Sequence, residues 1–374
     1  MKKRRSALIS TAVVLVLLVL FLLYVVFRRA GQPRAETEAE RVTIRFGITP
    51  YQDTALPVVG DRLGWYEEKN LDVQFVPLSW GDVVLALSSG SIDASIYTIN
   101  AFQAPYSEAV AGRFKPIFYS PIYVFKGTAI MVHGDSGLSV VGNISSLPAP
   151  VREGRVVDAV RQLRGKRIAV TQGTEYEQIV LAALAKAGLD PGQDVTLIHA
   201  SVEDALAAFL SGDVDAFGAG LTERIEAQRH GAKELLVAAD VGPPSIDGLV
   251  TTQEFASRNR DAMDDLLRVW FRTVDYMEGD LKGRSRFVRE YLRGKASTRY
   301  SPDEYAIAWT FNVFPRTPSE AVRVFNSPEG AFYWKNVWDY NNQFLMSEGK
   351  IKEPVPYSAY WGTEVLSRVA ETVR

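Results

Sequence analysis

Two short stretches of the chain are almost alike: residues 87–95 are LSSGSIDAS and residues 209–217 are FLSGDVDAF. In each, a glycine is followed after one free position by a β-branched residue and then by Asp-Ala. Asp93 and Asp215 are 122 residues apart in the sequence. The same offset relates five further pairs: Thr49 and Thr171, Val73 and Val195, Ser79 and Ser201, Asp82 and Asp204, Gly90 and Gly212. We therefore expect two similar lobes rather than one catalytic pair of carboxylates.

The segments around both stretches follow one order. β-Branched runs at 42–49, 71–78 and 92–98 alternate with segments of helical spacing, and the order recurs with runs at 166–171, 193–200 and 214–220. A β-α-β-α-β order predicts parallel strands with helices on the faces of the sheet. The apolar segment 121–137 is expected to carry the chain between lobes, and 243–255 is a candidate return strand. Four helical patterns then follow.

Composition limits the possible functions. The chain has 374 residues, long enough for two folded units, and its formal net charge of −2 does not suggest a nucleic-acid binder. It contains no cysteine and only three histidines, so disulfides and thiolate chemistry are excluded and a metal site has few potential ligands. We expect no cofactor, no metal and no nucleic-acid partner.

The N-terminus predicts a membrane anchor. Four basic residues at 2–5 precede an uninterrupted apolar run from Ala7 to Phe27, which Arg28 and Arg29 close. A helix over this run is long enough to cross a hydrocarbon core of roughly 30 Å. Bulky residues end the run, which favours an uncleaved anchor over a signal peptide, and the charge bias keeps the N-terminus cytoplasmic. The predicted organisation is anchor 1–29, linker 30–41, first part of lobe I 42–125, lobe II 126–240, and a return strand with C-terminal helices 241–374 that mostly complete lobe I.

Several motifs resemble a known family. They are Gly64-Trp65-Tyr66-Glu67, Leu71-Asp72-Val73 and residues 87–94 in the first repeat, and residues 165–170, Gly173-Thr174 and residues 210–216 in the second. Their order and spacing over about residues 42–365 resemble the periplasmic substrate-binding proteins of nitrate/sulfonate/taurine-type ABC transporters, which include thiamine-precursor binders. The resemblance implies a type-II two-lobe periplasmic-binding-protein fold that closes around a small solute and presents it to an ABC permease. The N-terminal anchor, in which the sequence departs from the usual family member, predicts a single-pass inner-membrane protein whose globular part is periplasmic or extracellular, and we expect a monomer.

Ligands bind beyond the carboxyl ends of the strands in such a sheet. The candidate ligand-binding residues therefore follow the predicted strands, although Asp53 could equally cap a helix and Ser79 with Asp82 looks like a capping box. They are Tyr51, Asp53, Trp80, Tyr97 and Thr98 in the first repeat, and Gly173, Thr174, Glu175, Tyr176 and Thr222 in the second. Asp247 on the return strand has a weaker claim.

These loops hold carboxylates and aromatic rings but no lysine or arginine, whereas oxyanion binders use basic donors. The composition favours a neutral or amine-bearing, ring-containing ligand over a simple oxyanion. No catalytic residue is predicted. Two alternatives remain: a sensor or adaptor for a membrane partner, and a thiamine-pyrimidine-synthesis-like enzyme on the same fold, which would need a reactive histidine, cysteine or lysine.

Overall fold

The structure, a computed structural model, describes residues 41–142, 148–242, 245–295 and 299–372. The predicted anchor over residues 1–29 lies outside the described residues, as does all of the predicted linker except Arg41. Within the described ranges, no helix is both long enough and apolar enough to cross a bilayer.

The strands form two sheets. The six-stranded sheet has the order β11-β4-β10-β3-β1-β2, and the five-stranded sheet has the order β7-β6-β8-β5-β9. The first contains β1 (Val42–Ile48), β2 (Leu71–Pro77), β3 (Ala94–Thr98), β4 (Pro116–Phe125), β10 (Ser245–Thr252) and β11 (Asn312–Val313). The second contains β5 (Ala129–Val132), β6 (Arg167–Val170), β7 (Thr196–His199), β8 (Ala216–Ala219) and β9 (Lys233–Val237). We call the elements on the six-stranded sheet the first lobe and those on the five-stranded sheet the second lobe.

The two sheets share one topology. β3 lies parallel to β1, as β8 lies parallel to β6, and each is followed in its sheet by an antiparallel strand, β10 or β5. Each of these antiparallel strands comes directly after a crossover from the other lobe. The chain crosses once at residues 126–128 and returns at residues 241–244, of which 243–244 lie outside the description. The predicted α/β fold with two lobes and two crossings is therefore confirmed, and the return strand is β10.

Helices cover the sheets. The first-lobe helices before the crossover are α1 (Pro57–Arg62), α2 (Val83–Ser89), α3 (Ile99–Gln103) and α4 (Tyr106–Ala109). The second lobe has α5 (Ala149–Arg161), α6 (Glu175–Ala187), α7 (Val202–Ser211) and α8 (Leu221–Arg229). After the return strand come α9 (Gln253–Arg258), α10 (Arg260–Gly279), α11 (Leu281–Arg284), α12 (Arg286–Lys295), α13 (Pro302–Trp309), α14 (Pro318–Phe325), α15 (Trp334–Ser347) and α16 (Gly362–Glu371).

The repeated aspartates occupy equivalent places. The Asp93 carboxylate accepts hydrogen bonds from the Arg45 backbone N–H at 2.8 Å and from its guanidinium at 2.6 Å. The Asp215 carboxylate likewise accepts from the Arg167 backbone N–H at 2.9 Å and from Lys166 Nζ at 3.0 Å. Each aspartate therefore joins the start of one parallel strand to its neighbour, to the middle of β1 for Asp93 and to the start of β6 for Asp215, at the edge of the sheet away from the cleft.

The predicted capping box at Ser79 and Asp82 is wrong. Ser79 makes no side-chain capping bond, because the chain there forms a single 3₁₀ turn at Trp80–Asp82 before α2 begins. Thr174 does cap α6, accepting from the Tyr176 N–H at 3.2 Å, but Glu177 does not complete a capping box. The Glu177 carboxylate instead accepts from the Gly173 N–H at 2.9 Å.

Candidate ligand-binding site

A small cavity of about 20 Å³ lies between the lobes at the carboxyl ends of the parallel strands. Three carboxylic acids and five aromatic rings dominate its wall. The lining residues are Tyr51, Gln52, Asp53, Thr54, Trp80, Tyr123, Phe125, Glu175, Tyr176, Leu221 and Asp247. Both lobes contribute, so the cavity exists in this form only when the lobes are closed.

The loop between β1 and α1 forms the first wall. Its backbone is held from both sides: Thr54 Oγ1 donates to the Thr49 carbonyl at 3.1 Å, and the Tyr305 hydroxyl donates to the Gln52 carbonyl at 2.8 Å. Asp53 Oδ1 accepts the adjacent Thr54 N–H at 2.8 Å, and the Tyr123 hydroxyl lies beside the same carboxyl. The Asp53 side chain is therefore fixed in direction and buried in the cavity wall.

Trp80 joins this wall to the second lobe. Its ring meets Tyr51 edge-on with centroids 5.4 Å apart, and Tyr97 packs behind it at 4.6 Å. Its indole N–H donates to Glu175 Oε2 at 3.3 Å, across the cleft. Tyr97 thus supports the cavity without lining it.

Five of the ten predicted residues line the cavity: Tyr51, Asp53, Trp80, Glu175 and Tyr176. Thr98 donates to the Ile246 carbonyl at 3.3 Å, which places it inside the first sheet. Gly173 and Thr174 lie at the start of α6, where the Gly173 and Tyr176 N–H groups are already satisfied by Glu177 and Thr174. Two of the backbone N–H groups at this helix start are therefore already occupied.

Thr222 lies on a wider groove of about 700 Å³ beside the cavity. Its hydroxyl is 2.8 Å from the Tyr300 hydroxyl and 3.3 Å from Gln52 Oε1, and Gln52 in turn lines the cavity. These three side chains separate the groove from the cavity.

Sequence reasoning undervalued Asp247 and did not identify Tyr123 or Phe125. β10 runs antiparallel to β3, pairing Asp247 with Thr98, so the first residues of β10 rather than its last reach the cleft. Tyr123 and Phe125 belong to β4, whose ten residues are all buried and are apolar enough to suggest core alone. Only the position of Tyr123 and Phe125 near the end of that apolar run could have indicated a role.

The carboxyl groups of the site hold protons unusually tightly. Burial raises the pKa of Asp53 to about 6, and burial raises the pKa of Glu175 to about 7 even though the Trp80 N–H favours the ionised form. Burial, reinforced by the Asp53 and Glu175 carboxylates, raises the pKa of Asp247 well above its usual range. Glu223, behind Tyr176, has its pKa raised to about 7 by burial and by neighbouring carboxylates. No basic side chain lines the cavity among the described residues.

Further hydrogen bonds cross the cleft around the cavity. Gln178 on α6 accepts from Asn100 at 2.9 Å and donates to Asn341 on α15 at 2.6 Å. Lys350, just beyond α15, contacts the Glu177 carboxylate at 3.1 Å. On the groove side Arg229 of α8 donates to Glu304 of α13 at 2.7 Å. Contacts on both sides of the cavity thus hold the lobes in a closed arrangement.

This combination of two lobes, two crossovers and an enclosed interlobe cavity defines the periplasmic-binding-protein class. The chain belongs to the NMT1-like family, whose model matches residues 37–289. The predicted relationship to nitrate/sulfonate/taurine-type ABC substrate-binding proteins is thereby confirmed.

Individual relatives are distant. A candidate binding protein of Brucella abortus strain 2308 is 24% identical over 244 residues, covering 64% of this chain and 68% of its own. The alkanesulfonate-binding protein of Xanthomonas axonopodis pv. citri superposes with a TM-score of 0.63 at 18% identity, covering 87% of this chain and 99% of its own. The periplasmic nitrate-binding protein of Synechocystis PCC 6803 gives 0.59 at 15% identity, with 90% of each chain covered. Identities this low show the shared fold but not a shared ligand.

Proposed function

We propose that this protein is a membrane-anchored, extracytoplasmic solute-binding protein that captures a small organic solute between its lobes and delivers it to an ABC importer. The homologues are periplasmic solute-binding proteins of such importers. The proposed anchor is the apolar run within residues 1–29, which would keep the protein, as a monomer, beside its permease in the inner membrane. Tethering raises the effective concentration of the binding protein at its partner without any new contact.

The observation that supports capture is the enclosed cavity built from both lobes. Trp80 and Asp53 come from one lobe and Glu175 and Tyr176 from the other, and hydrogen bonds across the cleft close around them. A ligand that contacts both walls stabilises the closed state by its differential affinity for that state. The crossover at residues 126–128 and the return crossover that leads into β10 are the places where such a closure would bend.

The ligand we propose is neutral or amine-bearing, and ring-containing, rather than a simple oxyanion. The cavity wall offers carboxylic acids, hydroxyls and aromatic faces, while donors with positive charge, which oxyanions need, are missing from its described lining. We propose binding without catalysis, as in the family, whose members are binding proteins.

A thermal-shift screen of the full-length chain in detergent would test the proposal against nitrate, sulfonates, bicarbonate, pyrimidines, amides and amines. A true ligand stabilises the folded state by about 2.7 kcal/mol at a hundred times its dissociation constant, which is readily seen as a higher Tm. If no small solute raises the Tm, the proposal is wrong.

Closure can be measured directly because the chain has no cysteine of its own. Ser89 and Ser211 are exposed, lie 122 residues apart in the sequence and occupy equivalent ends of α2 and α7. Spin labels on Ser89→Cys and Ser211→Cys should show one ligand-dependent change in distance, whereas a rigid protein would show none.

A further inference from the structure

The most unusual feature of the cavity is an unsatisfied carboxyl group. The Asp247 side chain is only 3% exposed, lines the cavity, and its Oδ2 has no hydrogen-bond partner among the described residues. A buried polar atom without a partner costs about 1–3 kcal/mol, and more when it is charged. A bound molecule that donates a hydrogen bond to this oxygen would recover that cost.

The neighbouring groups cannot supply that donor. The Tyr123 hydroxyl lies beside both the Asp247 and the Asp53 carboxyls, but one hydroxyl has one proton and donates to one acceptor. Glu175 Oε2 accepts the Trp80 indole N–H, and the Glu175 backbone N–H and the Tyr176 hydroxyl also lie beside this carboxyl. When the three carboxyl groups are ionised, Asp247 Oδ2 is therefore the oxygen that still lacks an N–H or O–H partner.

The described lining of the cavity also contains no positively charged side chain. The arginines nearest in sequence to the cavity wall are committed elsewhere: Arg224 donates to the Gly127 carbonyl and to Glu234, and Arg229 donates to Glu226 and Glu304. On the α6 side, Lys350 contacts Glu177, whose other partners are the Gly173 N–H and His199. The charged groups that face the cavity from the packed elements are thus all acidic: Asp53, Glu175 and Asp247, with Glu223 behind Tyr176.

The remaining wall is aromatic. Trp80 and Tyr51 meet edge-on, and Tyr123, Tyr176 and Phe125 complete the lining. Aromatic faces attract cations through the ring quadrupole, by about 0.5–2 kcal/mol for each good contact. Carboxylates and ring faces together favour the same kind of ligand.

We infer that the cleft binds a compact organic cation that carries N–H donors, such as an ammonium, amidinium or guanidinium group, between Asp53, Glu175 and Asp247, with the lobes further apart than in this structure, whose cavity of about 20 Å³ has room for little more than a water molecule. This inference rests on the proposed function and specifies its ligand class. The cavity would then select the opposite charge from the alkanesulfonate and nitrate that name the structurally similar proteins. N–H donors are required, because a quaternary ammonium would leave Asp247 Oδ2 unsatisfied.

The test uses isosteric ligands that differ only in charge. Acetamidinium, acetamide and acetate form one set, benzamidinium, benzamide and benzoate a larger one, and tetramethylammonium is a cation without N–H donors. Binding of each to the full-length chain is measured by calorimetry and by Tm. We expect the amidinium of at least one set to bind ten times or more tighter than its amide, and the carboxylates and tetramethylammonium not to bind detectably.

Two variants test whether ligand binding depends on the charge of Asp247 rather than on the folding of the protein. Asp247→Asn should weaken amidinium binding tenfold or more without lowering the Tm of the unliganded protein, because it removes a buried acid and keeps its shape. Asp135→Asn, an exposed carboxylate in a turn of the second lobe, is the matched control and should change neither quantity.

The outcomes distinguish the two proposals. If amides or carboxylates bind as well as amidiniums, or if the only solutes that bind in the wider screen are anionic or neutral, the cation inference is overturned while solute capture stands. If Asp247→Asn leaves amidinium affinity unchanged, the inference is also wrong. If no solute of any charge binds or closes the lobes, the proposed function fails together with the inference.

Discussion

The Trp80 indole nitrogen lies 3.3 Å from Glu175 Oε2, although the two residues are 95 positions apart and belong to different lobes. This hydrogen bond links the aromatic wall of the cavity to Glu175, and burial raises the pKa of that carboxyl group to about 7. The bond can form only when the cleft is closed, so it belongs to the captured state of the protein.

Trp80→Phe should therefore weaken ligand binding about three- to tenfold, because the ring stays but the N–H that orients Glu175 is lost. Trp80→Ala should cost more, since it also opens the cavity wall. Trp309→Phe is the matched control, because it removes an indole N–H that donates to a different carboxylate, Glu278, at 2.8 Å. Calorimetry with a ligand from the screen measures each effect, and equal losses in both Phe variants would contradict the assignment of Trp80 to the site.

The stability of the unliganded protein should fall as the pH rises from about 4 to about 8. In the folded state the pKa is about 6 for Asp53 and about 7 for Glu175 and Glu223, against ordinary values of 3.8 and 4.5. A carboxyl whose folded pKa is raised contributes stability at low pH, and that contribution is lost as the pH passes through the folded pKa. Melting curves across this range should show the decline, with a shallower slope in Glu175→Gln than in Asp135→Asn.

Cation affinity should change with pH in the opposite sense. A bound cation favours the ionised carboxylates and releases their protons, so its affinity should increase between about pH 5 and 8. Calorimetry in buffers with different ionisation enthalpies counts the protons released. Proton uptake on binding would contradict this prediction.

Lys350→Met should shift the lobes toward the open state. Lys350 Nζ contacts Glu177 Oε1 at 3.1 Å, and Glu177 is only 5% exposed at its side chain, so the variant leaves a buried acid with one fewer partner across the cleft. The loss in affinity should be severalfold and equal for every ligand, because the variant alters closure and not the cavity. Lys352→Met, at an exposed position two residues later, is the control. Distances between labels at positions 89 and 211 should lengthen only in the first variant.

Arg224→Met should destabilise the fold more than loss of a surface arginine. Its guanidinium is almost wholly buried, donates to the Gly127 carbonyl and to Glu234, and lies 4.7 Å from the Phe311 ring. Loss of Arg224 leaves the buried Gly127 carbonyl and the Glu234 carboxylate, which is 31% exposed, without this partner and should cost about 1–3 kcal/mol, whereas an exposed pair such as Arg164 with Asp194 is worth about 0–1 kcal/mol. Denaturant unfolding of Arg224→Met and Arg164→Met should show this contrast.

Local pattern was enough to predict the repeated half of each lobe. β-Branched runs, glycine stops and the offset between Asp93 and Asp215 all reflect contacts close in sequence, and the strands they predict pair in parallel as expected. α5 and α14 were not predicted, since α5 is mostly exposed and lacks a clear apolar stripe, and α14 follows a proline-containing turn.

The site was harder to predict because strand direction decides which residues reach it. The rule that ligands bind at carboxyl ends identified Tyr51, Asp53, Trp80, Glu175 and Tyr176, which follow parallel strands. It misplaced Asp247, whose strand runs the other way, and Thr98, whose hydroxyl turns into the sheet. Direction depends on the crossovers between lobes, which the local pattern does not encode.

The first crossover has a mechanical consequence. Gly127 has no room for a side chain, since a Cβ there would lie 2.3 Å from the Phe125 ring, and Phe125 is itself part of the cavity wall. Arg224, which belongs to the second lobe, donates a hydrogen bond to the carbonyl oxygen of the same glycine. Any rotation of one lobe against the other at this crossover must therefore move the Phe125 ring. Because that ring lines the cavity, opening or closing the lobes also changes the shape of the cavity wall.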